Sequence, residues 1–83
     1  MPKKNSISAS SVSRALRKAG FGIVVTRFRE GLHVSSGINC VHVTAQFDHL
    51  KTAIYRAADA ADALREKSYH VTQNEQFLSV TKA

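Results

Sequence analysis

Residues 50–71 read Leu50-Lys51-Thr52-Ala53-Ile54-Tyr55-Arg56-Ala57-Ala58-Asp59-Ala60-Ala61-Asp62-Ala63-Leu64-Arg65-Glu66-Lys67-Ser68-Tyr69-His70-Val71. Leu50, Ala53, Ile54, Ala57, Ala61 and Leu64 recur at the spacing of one buried helical stripe, while Arg56, Asp59, Asp62 and Glu66 fall toward water. The alanines let such a helix approach a sheet closely. Asp48 offers a cap, so a helix is expected from about 49 to 67. The period then switches from helical to alternating. Tyr69-His70-Val71-Thr72-Gln73 and Gln76-Phe77-Leu78-Ser79-Val80-Thr81 read as a hairpin about Asn74-Glu75, with Val71 opposite Leu78 and Tyr69 opposite Val80.

The first half of the chain has a similar pattern. Ser8-Ala9-Ser10-Ser11 supplies N-cap oxygens. Val12, Ala15, Leu16 and Ala19 make a stripe, and Gly20 can end the helix, giving a short helix over roughly 10–19. Phe21, Ile23 and Val25 alternate with Gly22, Val24 and Thr26 as a strand. Glu30-Gly31 marks a turn, Leu32–Ser35 the returning strand, Ser36-Gly37 another turn, and Ile38–Thr44 a third, β-branched strand.

Ala15-Leu16-Arg17-Lys18-Ala19-Gly20-Phe21-Gly22-Ile23 aligns with Ala63-Leu64-Arg65-Glu66-Lys67-Ser68-Tyr69-His70-Val71, and Leu32–Ser35 aligns with Leu78–Thr81. A two-fold internal repeat of helix, aromatic residue and hairpin is therefore expected. The fold class is α+β in the order α-β-β-β-α-β-β, with both helices on one face of a mostly antiparallel sheet. Phe21, Ile23, Val25, Leu32, Val34, Val41, Val43, Tyr69, Val71, Leu78 and Val80 would face the helices. Residues 1–9 read as a flexible basic arm and 10–83 as one domain.

The chain has 83 residues, a net charge of +6, 43% hydrophobic residues and one cysteine, Cys40. A domain of this size leaves little room for a deep, dry catalytic cavity. The start shows no signal peptide and no run reaches membrane-spanning length, so the cytoplasm is expected and a membrane is not. Residues 1–29 carry seven bases and no acid; the remaining 12 − 7 = 5 bases face six acids, a net of −1. That segregation points to a polyanion. The candidate nucleic-acid-binding residues are Lys3, Lys4, Arg14, Arg17, Lys18, Arg27, Phe28 and Arg29. Phe28 would stack on an unpaired base between two guanidiniums that meet phosphates. A solvated basic face, and a Phe28 folded into the core, are the plain alternatives. The polyanion reading requires that the acidic second helix leave these arginines unpaired.

The sheet face away from the helices would carry Val24, Thr26, His33, Cys40, His42, His70, Thr72, Phe77 and Ser79. It can be solvated. It can also hold a host protein, with Val24, Phe28, His42 and Phe77 as partner-binding residues, or a second copy as a homodimer. Cys40-x-His42 with His33 or His70 would bind zinc only if the ligands converged across strands. An ordinary cysteine and surface histidines fit better, so neither a metal nor another cofactor is expected. Catalysis lacks an activated nucleophile, an orienting group and a cleft, so no enzyme activity is expected.

The Ala15–Phe21 and Leu32–Val34 pattern, repeated at Ala63–Arg65, Tyr69–Val71 and Phe77–Thr81, resembles small uncharacterised proteins of actinobacteria and their phages. The resemblance implies an accessory protein acting on a host macromolecule. The order α-β-β-β-α over residues 10–67 is also similar to the double-stranded RNA-binding domain. That family opens its second helix with a lysine cluster, whereas Asp48-His49-Leu50-Lys51 holds one lysine and lacks that phosphate clamp.

Overall fold

Ser8 starts the first helix: its hydroxyl accepts the Ser11 amide at 3.1 Å, which satisfies one of the donors a helix N-terminus leaves unpaired. In the computed structural model, which describes residues 7–25 and 29–82, α1 is Ala9–Lys18. It is followed by β1 (Ile23–Val24), β2 (Gly31–Ser36), β3 (Val41–Gln46), α2 (Leu50–Glu66), β4 (Tyr69–Asn74) and β5 (Phe77–Lys82). The order is α-β-β-β-α-β-β, and the class is α+β as expected. The strands form one sheet in the order β1-β2-β3-β5-β4.

Both helices cover one sheet face. Val12 and Leu16 of α1 join Ala53, Ala57, Ala60, Ala61 and Leu64 of α2 in a single core with Leu32, Val41, Val43, Val71, Leu78 and Val80. Four buried alanines bring the α2 backbone close to the strands. Gln73 reinforces that contact by donating to the Ile54 carbonyl at 3.2 Å. Phe21 and Tyr69, each following a helix, pack half-buried on the same core. Ile7 packs there too, so the described end of the expected arm is already tied to the domain.

Several local expectations are corrected. The first-half hairpin does not form: β1 pairs with β2 in parallel, Ile23 with Leu32 and Val24 with His33. Gly31 is not a turn residue. It takes φ +144° at the start of β2, and a Cβ there would lie 2.8 Å from Val24 Cγ1 and 3.2 Å from the Gly22 carbonyl oxygen. The glycine allows close backbone approach, and the Leu32 amide donates to Gly22 at 2.9 Å. Parallel pairing usually needs a crossover of a dozen residues or more. Here six suffice, because a contact two residues long needs a return of only about 7 Å. Val25, expected inside, lies past β1 and is 83% exposed.

The third strand starts at Val41, not at Ile38. Gly37–Cys40 is a four-residue loop closed by the Gly37 amide on the Cys40 carbonyl (2.8 Å), with Asn39 at φ +56°. Asparagine tolerates that conformation, and it leaves Ile38 92% exposed at the tip. Helix α2 is capped by His49 without a side-chain bond, not by Asp48, whose amide instead donates to the Glu30 carboxylate at 3.1 Å. The β4–β5 register is offset by two from expectation: Val71 opposes Val80, and Tyr69 opposes Lys82. A shift of two keeps every side chain on its face but changes its partner. The loop is Glu75-Gln76, with Glu75 at φ +56°.

Candidate nucleic-acid interface

The apolar face of α1 fixes where its charges go. With Val12 and Leu16 buried, Arg14, Arg17 and Lys18 are left in solvent. At the far end of α2 the chain turns through Ser68, at φ +70°, and enters β4. This brings Lys67 and Tyr69 beside α1. Ser11, Arg14, Ala15, Lys18, Lys67 and Tyr69 line an open groove of about 300 Å³. The register that places Tyr69 opposite Lys82 extends it. Ser11 and Tyr69 also line an adjoining hollow of about 170 Å³ with Ile7, Ser8 and Lys82. Beyond Arg14, a depression of about 400 Å³ is lined by Ala9, Ser10, Ser13 and Arg17. The groove shares Ser11 and Tyr69 with the hollow and Arg14 with the depression, and among the described residues no Asp or Glu lines any of the three.

Such a surface has a defined chemistry. Guanidinium and ammonium groups are donors without acceptors, and the Ser8 and Ser11 hydroxyls, 2.9 Å apart, can donate as well. Cations gathered on one surface raise the local potential and attract anions. The α2 carboxylates Asp59, Asp62 and Glu66 line none of the three hollows. Asp62 pairs with Arg65 at 3.4 Å. Among the described residues, Arg14, Arg17, Lys18 and Arg29 make no ion pair.

The structure thus brings Arg14, Arg17 and Lys18 together on one surface. Arg29 lies elsewhere, in a depression shared with Glu30, Gln46 and Asp48. Its carbonyl accepts from Gln46 at 2.9 Å, and two carboxylates flank it. Lys3, Lys4, Arg27 and Phe28 lie outside the described residues. Lys67, Tyr69 and Lys82 are absent from the sequence-based site. They fall in the part of the chain with net negative charge, and Tyr69 reads there as core. The signal that could have found Tyr69 and Lys82 is the hairpin loop, since a two-residue loop at Glu75-Gln76 sets one against the other; no such signal marks Lys67.

The second sheet face is uncovered by either helix. Val24 lies on it, half-buried across Gly31. His42 opposes Ser79 there, and Phe77, 49% exposed, opposes Thr44 and stands diagonal to His42. Cys40 sits in the loop before β3, with Sγ 3.5 Å from His42 Nε2. Gly37 makes room for this pair, since a Cβ there would come within 2.7 Å of the sulfur. His33 is diagonal to His42 on the neighbouring strand, and His70 is two strands away on β4. Among the described residues no group of three metal-ligating side chains converges. No helix there is long and apolar enough to cross a membrane.

No family model, curated protein or solved structure matches this chain.

Proposed function

We propose that this chain is a small non-enzymatic protein that binds nucleic acid through the groove between α1 and the end of α2. It would act in the cytoplasm, as an accessory protein of the kind that the actinobacterial and phage resemblance implies. The observation that carries the reading is the adjoining lining of Arg14, Arg17, Lys18 and Lys67, which holds no Asp or Glu among the described residues. A solvated basic face would serve solubility with acids interspersed. This one excludes them, while Arg29 keeps two beside it.

Fluorescence anisotropy with labelled DNA and RNA across a salt series tests it. Neutralising three phosphates of a single strand gives a slope of log K against log salt of about −2. Arg14→Glu with Lys18→Glu should weaken binding at low salt by at least about tenfold, whereas Arg29→Glu should change it far less. Absence of binding at low salt would end the reading.

A second reading, a protein partner on the open sheet face, is favoured by Phe77, half-exposed among polar neighbours such as Thr44, Asn74 and His42. Phe77→Ser separates the two. It leaves nucleic-acid affinity unchanged under the first and removes an apolar anchor under the second.

A further inference from the structure

We infer that the groove takes a single nucleic-acid strand, with the Tyr69 ring as the platform on which an unpaired base stacks and Arg14, Lys18 and Lys67 as the phosphate contacts. The inference rests on the nucleic-acid reading above and names the form of the ligand.

Among the described residues Tyr69 is the one aromatic side chain lining the groove and its adjoining hollow, and it is shared by both. It is the first residue of β4, the outermost strand on that side of the sheet. It is packed on the core and also lines the cavity. A ring held in this way loses little conformational freedom when a base stacks on it, and stacking tolerates every base because each has a π-face. Paired bases in a duplex are stacked on each other and turn phosphates outward, so a duplex has nothing to offer an aromatic ring set among cations in a concave surface. An unpaired strand offers both parts: a base for Tyr69, and flanking phosphates for Arg14 and Lys18 on one side and Lys67 on the other. The Ser8 and Ser11 hydroxyls at the rim can donate to sugar or phosphate oxygens. Tyr55 gives an internal contrast. It is 69% exposed on α2 and lines neither part of the groove.

The chain has two tyrosines and no tryptophan, so Tyr55→Phe leaves Tyr69 as the sole strong emitter. Oligothymidylate and oligouridylate of about 15 nucleotides, and a DNA duplex of the same length, serve as probes. The expected result is quenching of Tyr69 emission by the single strands and not by the duplex, with the single strands bound more tightly. Tyr69→Phe should keep the affinity for single strands. Tyr69→Leu, which retains apolar packing without a π-face, should lose about tenfold, with far-ultraviolet circular dichroism confirming the fold. Single-strand binding that neither quenches Tyr69 nor weakens in Tyr69→Leu overturns the inference alone. A duplex bound as tightly as a single strand, without quenching, does the same. Failure of every probe to bind at low salt overturns the nucleic-acid reading together with it.

Discussion

Both helices end on a residue at positive φ, and the chain then takes two different courses. At the end of α1, Gly20 is at φ +96°; its amide donates to Arg17 and the Phe21 amide to Leu16, both at 3.0 Å. At the end of α2, Ser68 is at φ +70° and its amide donates to Arg65 at 3.0 Å. An aromatic residue, Phe21 or Tyr69, follows each and packs on the shared core. After Tyr69 the chain makes two six-residue antiparallel strands. After Phe21 it makes two residues of parallel edge. The sheet has β3 at its centre, β2 and β5 beside it, and β1 and β4 outermost. One flank is long and antiparallel, the other short and parallel. Similar local sequence therefore fixes how each helix ends, not how the next strand pairs. That choice depends on what the strand meets: a two-residue loop in the second half, and Gly31 with its close approach to Gly22 in the first.

The largest effects test whether the two flanks share one core. Leu16→Ala and Leu64→Ala each remove a fully buried side chain and should each cost about 4 kcal/mol in urea unfolding. If Leu16→Ala cost under about 1 kcal/mol, the short flank would be fraying independently of the long one. Gly31→Ala tests the parallel edge. Its Cβ meets Val24 and a backbone carbonyl at positive φ, so a loss of about 2 kcal/mol is expected. Gly20→Ala meets nothing within 4 Å and should cost only the backbone strain, about 1 kcal/mol. Equal costs would remove the packing argument for Gly31.

The smallest effect has the opposite sign. Ser68→Gly places at the second helix end the residue already present at the first, and should stabilise by about 0.5 to 1 kcal/mol. No gain would mean that the Ser68 side chain compensates its strained backbone. On the outermost strand of the long flank, Arg65 donates to the Val71 carbonyl at 2.9 Å. That contact occupies an acceptor on a strand otherwise open to pairing with another chain.

The helices and their buried faces were legible because a helical stripe is local: Val12 with Leu16, and Ala53, Ala57, Ala61 with Leu64, are each set by residues within a few turns. Leu50 belongs to the same stripe and yet is 53% exposed in the first turn, since a stripe does not say where the sheet beneath it ends. The alternation of β4 and β5 was equally legible, but their partners were not. Phe21-Gly22-Ile23-Val24 alternates as well as Tyr69-His70-Val71-Thr72 does, and nothing in that alternation announces parallel pairing. Of the candidate site, Arg14, Arg17 and Lys18 could be read from charge segregation. Lys67 and Tyr69 could not be read from it, because they stand in the part of the chain whose net charge is negative and Tyr69 falls on the core-facing phase of its strand.

Sequence alone determined the element order, the α+β class, which face of each helix is buried and the uncompensated positive charge of the first third. Each of these depends on propensity, period or composition within a short window. Tertiary structure decided the parallel edge at β1, the two-residue shift of the hairpin partners and the meeting of Arg14 and Lys18 with Lys67 and Tyr69. The first two pair strands near each other in sequence, where alternation does not name the partner; the last joins residues far apart in the chain and forms only where one shared core brings the end of α2 against α1.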